Sequence, residues 1–247
     1  MLIAEYSKCE TLFLDAGGVL VWPNWWRMAD VLRARGIDVA PEALAAADPV
    51  VRHQLDASDE LIAMPDQKRG SSFFEMILAG AGVPLPLSDA AQSALAVLRQ
   101  YHATENLWEY VPDLVRPALG ELRRRGLKLV VVSNANGVLV RAFTRLGLAP
   151  LVDVIIDSAE AGFEKPDRRL FDAALERSGA RRETTVHVGD IYSIDVVGAR
   201  NAGLGAIMVD QADLYGSFDC PRIRSIAELP ALVRPRDQKQ SGAGSRG

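Results

Sequence analysis

Cysteine is scarce in this sequence. Only Cys9 and Cys220 occur among 247 residues, which leaves neither a disulfide framework nor a zinc-binding spacing. Two reduced thiols, as in a cytoplasmic protein, are the expectation. Excess positive charge is lacking too: the formal net charge is −4, whereas a general nucleic-acid binder usually carries a basic face. No apolar run comes near the roughly 18 residues that a membrane-spanning helix needs. The opening stretch MLIAEYSKCE has no basic segment followed by a long apolar one, so no signal peptide is read there. No internal repeat is evident. What the chain does have is apolar residues, 49% of the total, enough for a substantial core. Its length suits one large domain or a core with an inserted subdomain.

The most informative stretch is Thr11–Leu20, TLFLDAGGVL. Leu12, Phe13 and Leu14 form an apolar run of the length of a buried strand. It ends on a carboxylate, Asp15, followed by Gly17 and Gly18, where backbone can turn sharply or approach a ligand. A half-buried carboxylate costs free energy unless paired, and the C-terminal tip of a strand in an open α/β sheet is where ligands bind.

After Leu20, Trp22, Trp25 and Trp26 crowd a Pro-Asn turn, and a helix is expected from Trp25 to Arg35, stopped by Gly36. Core packing is the simpler use for the three tryptophans, a pocket mouth the other. Pro41–Ala47, Val50–Ala63, Ser71–Ala79 and Ser88–Tyr101 read as four further helices, the last two separated by the breaker GVPLP at 82–86. No strand alternation is seen between 21 and 110, so about ninety helical residues form an inserted subdomain. His53 and His102 fall within it and read as surface or packing residues. Beyond Trp108 the pattern changes. A helix closed by Gly126 precedes a β-branched strand ending at Ser133 and Asn134. A helix near Gly137–Leu146 and a strand over 151–157 come next. A helix then opens at Pro166, a strand ends at Asp190, a helix runs from Ile194 to Ala202, and AIMVD is the last strand. Such alternation implies a parallel sheet with right-handed crossovers. The Gly/Ser-rich tail is expected to be disordered.

Asp15, Ser133 and Asp190 each end an apolar strand, so all three are expected at one sheet edge. Lys165 precedes Pro166, a residue suited to the first position of a helix. A cation there opposes the macrodipole unless an anion such as phosphate sits between. Asp15, Asp190 and Asp195 would repel one another without a shared cation, and hard oxygen ligands suit Mg²⁺. Anion, Mg²⁺ and carboxylate nucleophile together describe a phosphoryl-transfer site.

Four pieces carry a family resemblance: DAGGVL at 15–20, VVVSN at 130–134, EKPDRRLFDAAL at 164–175 and HVGDIYSIDVVGARNAGL at 187–204. In this order, the chain resembles the phosphatase branch of the haloacid dehalogenase superfamily over residues 10 to 210. The resemblance implies an α/β fold: a Rossmann-like doubly wound parallel sheet core from 1–20 and 108–233, with an inserted α-helical cap over 21–107 and a tail over 234–247. It implies that Asp15 is the nucleophile and forms an aspartyl-phosphate. Ser133, with the backbone near Asn134, would bind phosphoryl oxygens, and Lys165 would neutralise nucleophile and phosphate. Asp15, Asp190 and the Gly17 carbonyl would hold Mg²⁺, with Asp195 orienting Lys165 or a metal water. His187 reads as a packed core histidine. The substrate class implied is a small phosphorylated metabolite. One position departs from the pattern: where most phosphatases of the family carry a second, acid/base aspartate, this chain has Gly17. That weakens a mutase reading and leaves room for a non-catalytic or very weakly active binding or regulatory member of the fold. Asp190 argues against the third reading, a metal-independent 2-haloacid dehalogenase.

Overall fold

The apolar run Thr11–Leu14 (β1) is a buried strand whose side chains alternate between the two faces of a sheet. Leu12 and Leu14 join one core cluster with Leu129, Val131, Val186 and Val188. Phe13 joins another with Val130, Val132 and Phe171. This is the period-2 geometry of a strand covered on both sides. The computed structural model describes residues 6, 8–58, 64 and 66–233, without the side chains of 66–68. In it β1 pairs in parallel with Lys128–Ser133 (β4) and with Thr185–Gly189 (β6). Val154–Asp157 (β5), Gly205–Val209 (β7) and Arg222–Ile223 (β8) complete a six-stranded sheet in the order β5-β4-β1-β6-β7-β8. Every pairing is parallel.

Helices Val115–Arg124 (α5) and Leu139–Arg145 (α6) bury Leu119, Leu122 and Phe143 on the face of Leu12 and Leu14. Arg168–Ser178 (α8) and Val197–Asn201 (α9) bury Leu170, Phe171 and Ala199 on the face of Phe13. The expected doubly wound α/β core is therefore present. A short helix, Ser158–Ala161 (α7), follows β5 directly, and Leu229–Leu232 (α10) ends the described chain.

Among the described residues, four helices lie between the sheet's first two strands in sequence: Trp25–Arg33 (α1), Pro41–Asp56 (α2), Asp66–Gly80 (α3) and Asp89–Glu105 (α4). They share a cluster of their own that includes Trp25, Leu32, Leu44, Val51, Phe74 and Leu95. Asn24 caps α1 by accepting the Arg27 N–H at 2.9 Å, and Ser88 caps α4 through the Ala91 N–H at 3.3 Å. Among the tryptophans, Trp25 is core, while Trp26 is exposed against Tyr110.

Four expectations change. Pro41–Ala47 and Val50–Ala63 are not two helices, because α2 runs through Pro49 to Asp56. Its buried face, Leu44, Ala47, Val51 and Leu55, is continuous across the proline, and packing outweighs the one lost hydrogen bond. Residues 59–63 of the second expected helix, like the 234–247 tail, lie outside the described residues. Second, strands occur where none was read: Trp22–Pro23 (β2) pairs antiparallel with Trp108–Tyr110 (β3) where the chain leaves and re-enters the sheet layer. Segments this short cannot show alternation. Third, Pro166 does not open a helix. Asp167 caps α8, accepting the Arg169 N–H at 2.9 Å, so Lys165 stands in the loop before it. Fourth, β7 is followed by β8. No helix among the described residues is long and apolar enough to cross a membrane.

Candidate active site

Leu14 pairs with Val131 on one side and Val188 on the other, so β1, β4 and β6 end together. Asp15 follows Leu14 directly, while Ser133 and Asp190 lie two residues beyond its partners. The register alone brings the three to one edge. Asp15 is fixed by its own N–H, which donates to Val188 O at 2.9 Å.

Lys165 Nζ stands 2.9 Å from Asp15 Oδ1 and 2.7 Å from Asp195 Oδ1, with its side chain only 2% exposed. The Asn134 side chain holds the lysine from behind. Its Oδ1 accepts the Lys165 N–H at 2.7 Å and its Nδ2 donates to Lys165 O at 3.0 Å. Asn134 thus meets a candidate ligand with its backbone, its side chain being engaged. Ser133 is buried beside it, its Oγ 3.5 Å from Asn134 O. Asp157, opposite Ser133 in β5, accepts the N–H groups of Gly137 and Leu139 at 2.9 and 3.2 Å, which orders the loop after Ser133.

Asp195 lies in a π-helical turn, Tyr192–Val196, that opens the connection to α9. Its Oδ1 also contacts His187 Nε2 at 2.9 Å, and its Oδ2 accepts the N–H groups of Asp190 and Ile191 at 3.2 and 3.0 Å. This close approach needs Gly189, where a Cβ would stand 2.1 Å from Asp195 Cγ. Gly18 is required twice over: its φ is +73°, and a Cβ would meet Asp190 Oδ2 at 2.1 Å. His187 is a buried core residue, edge-on to Phe171, and it also touches the site through Asp195.

Two charged residues reach the edge from α2. Arg52 donates from Nη1 to Asp190 Oδ2 at 2.7 Å and from Nε to Asp48 Oδ1 at 2.7 Å. Arg52 Nη2 is buried without a partner among the described residues. Asp56 accepts the N–H groups of Tyr192 and Ser193 at 2.8 and 2.9 Å, and the Ser193 hydroxyl as well. None of these was identified from the sequence, and the one available signal was Asp48 and Arg52, four apart in an apolar helix. His53 instead packs edge-on to Tyr215 and His102 against Trp108.

Side-chain carboxylate oxygens of Asp15, Asp190 and Asp195 lie within 4.8 Å of one another. Burial, with the charges of Asp15 and Asp195 nearby, pushes the Asp190 carboxyl well above its ordinary range, against the pull of Arg52. Burial acts the same way on Asp195, but Lys165 and the His187 hydrogen bond prevail and hold it below. Burial works against the charged form of Lys165, yet Asp15 and Asp195 raise it, so the ammonium persists. The imidazole of His187 is lowered by burial and stays neutral. Four carboxylates, Asp15, Asp48, Asp190 and Asp195, crowd two cations, Lys165 and Arg52, and burial raises Asp48 as well as Asp190 toward the neutral form. The cluster is built of hard oxygen donors whose mutual repulsion a shared cation would relieve. That donor set fits a divalent cation such as Mg²⁺.

A doubly wound sheet with a carboxylate, a buried lysine and an acidic cluster at its C-terminal edge defines a class of hydrolase. The family model for haloacid dehalogenase-like hydrolase matches residues 9–203, and the chain belongs to that family. A glyceraldehyde 3-phosphate phosphatase of Methanothermobacter thermautotrophicus is 40% identical over 93 residues, 36% of this chain and 40% of that protein. A phosphoserine phosphatase of Thermus thermophilus is 32% identical over 161 residues, 65% of this chain and 61% of that protein. The matched segments thus cover less than two thirds of these relatives. Among solved structures, the hydrolase YfnB of Bacillus subtilis, bound to magnesium, superposes with a TM-score of 0.65 at 20% identity, over 91% of this chain and 98% of that one. This last likeness establishes the fold.

Proposed function

We propose that the protein is a Mg²⁺-dependent phosphatase that hydrolyses a small phosphorylated metabolite through an aspartyl-phosphate on Asp15. The observation that carries this reading is the buried ion pair of Asp15 with Lys165, set within a cluster of three carboxylates whose oxygens lie within 4.8 Å of one another. The names of the two phosphatase relatives support the substrate class.

Asp15 would attack phosphorus with one carboxylate oxygen, and water would then hydrolyse the acyl phosphate. Lys165 sits at the nucleophile's oxygen, where its charge offsets the repulsion between carboxylate and phosphate and follows the charge as it shifts. Ser133 Oγ and the backbone after it would donate to the phosphoryl oxygens. Asp15, Asp190 and the Gly17 carbonyl would hold Mg²⁺. Both oxygens of Asp195 are engaged within the protein, which favours its role as the anchor of Lys165 over direct ligation. Bound Mg²⁺ would supply positive charge for the phosphoryl oxygens. The helices over 21–107 would act as the cap, closing through Arg52 and Asp56 and choosing the substrate.

The test is release of inorganic phosphate from a panel of phosphorylated metabolites, with and without Mg²⁺, beside calorimetry of Mg²⁺ binding to Asp190→Asn. Mg²⁺-dependent release, with metal affinity lost in the variant, is expected. No release from any member would favour a non-catalytic member of the fold, and unchanged affinity would remove the metal assignment.

A further inference from the structure

Gly17 lies two residues beyond Asp15, on the loop that carries the nucleophile, and a Cβ built on it would stand 3.0 Å from Trp108 Nε1 and 3.4 Å from its Cδ1. The volume next to Gly17 is thus filled by the N–H edge of an indole from the other side of the cap junction. Trp108 is held there firmly. Its backbone N–H donates to Asn106 Oδ1 at 3.0 Å, and its ring packs against Phe73, Phe74 and His102 with centroids 6.0, 5.4 and 5.1 Å away. The backbone hydrogen bond and the three rings fix the indole, yet its Nε1–H donates to no group among the described residues. A half-buried donor with nothing to bind, wedged against the catalytic loop, is positioned for a ligand oxygen.

We infer that the Trp108 indole N–H hydrogen-bonds the leaving-group oxygen of the substrate, and that the protein acts on phosphates whose leaving oxygen is weakly basic, such as acyl, enol and aryl phosphates. This rests on the phosphatase reading. As the bond from Asp15 to phosphorus forms, the bond from phosphorus to the leaving oxygen breaks and its electron pair stays on that oxygen. An indole N–H is far too weak an acid to give up its proton, so it stabilises the departing anion only by a hydrogen bond. The oxygen then takes its proton from water. A basic alkoxide leaves poorly under such conditions, whereas a carboxylate, enolate or phenolate leaves readily.

The experiment measures kcat/KM for aryl phosphates of graded leaving-group acidity, at saturating Mg²⁺, in wild type, Trp108→Phe and Gly17→Ala. The wild type is expected to slow steeply as the leaving group becomes more basic, with no solvent isotope effect. Trp108→Phe keeps the ring and loses the donor. It should cost about 10²–10³-fold on the most basic leaving group, as removal of an oxyanion donor does, and much less on the most acidic. Gly17→Ala, whose methyl would press on Nε1, should steepen the dependence likewise. A merely structural role would lower every rate by one factor, so a slope unchanged in both variants overturns the assignment of Trp108. A flat wild-type dependence also overturns it and points to a protonating side chain, beginning with His102. No phosphate release from any member by the wild type would instead overturn the phosphatase reading beneath it.

Discussion

Asp195 uses both of its oxygens inside the protein, and that single residue ties together Lys165, His187 and the turn after Asp190. Side chains at this scale also set the response to pH. Burial lowers the His102 imidazole below its ordinary 6.5, only partly offset by the hydrogen bond to Asn106. Below that unfolded-state value the unfolded chain binds a proton that the folded chain does not, so stability is lost as pH falls. His187, lowered by burial as well, adds to the loss. The raised Asp190 acts the other way over the same range, since the folded chain holds a proton there that the unfolded chain lacks. The His102 contribution is therefore read as a difference: from about pH 7.5 to about pH 5.5 the melting temperature of wild type should fall relative to that of His102→Gln, Asp190 and His187 being common to both. Parallel melting-temperature profiles in wild type and variant would contradict it. Asp15, Ser133 and Asp190 were legible because each stands at the end of an apolar strand, and strand ends fall on one edge whatever the loops do. Arg52 and Trp108 were not. They reach the site by the docking of α2 and the placement of β3, and nothing local in the sequence states which face of a helix looks inward.

Among the elements, α2 has the largest role. One turn of it, Asp48 to Arg52, meets the Asp190 carboxylate, and its last residue, Asp56, accepts two N–H groups at the start of the π-helical turn, which have no partner within the turn. Its continuity through Pro49 was not legible, since a proline is a sound stop signal until a buried face on both sides outweighs it. The two-residue strand β2 was hidden for the opposite reason, being too short to carry a pattern. The long helices and β-branched strands were legible through their periodicity. Arg52→Ala tests the contact. Removing one partner of a buried pair leaves Asp190 uncompensated, at a cost of up to about 3–5 kcal/mol, so the variant should melt well below wild type in a chelator. A divalent ion on Asp190 replaces the lost charge, and binding to the folded state alone raises its stability. Mg²⁺ should hence raise the melting temperature of the variant more than that of the wild type. An equal rise in both would separate Arg52 from the metal site.

For the whole molecule, two hydrophobic clusters flank one parallel sheet and a third fills the helices over it. The charges of the site lie where these layers meet, away from bulk water, which strengthens Lys165 against Asp15 and makes an anion with a cation the fitting occupant. With Gly17 in place of an acid/base side chain, no carboxylate at that position would activate the water that resolves the proposed aspartyl-phosphate. An acyl phosphate on Asp15 should accordingly accumulate during turnover of a fast aryl phosphate. The decisive measurement is rapid acid quench of the working enzyme, borohydride reduction, which converts an aspartyl-phosphate to homoserine, and mass spectrometry of the peptide carrying residue 15. Homoserine at position 15, absent from Asp15→Asn, is the expected result. Phosphate released with Asp15 unmodified, or homoserine at another position, would contradict Asp15 as the nucleophile.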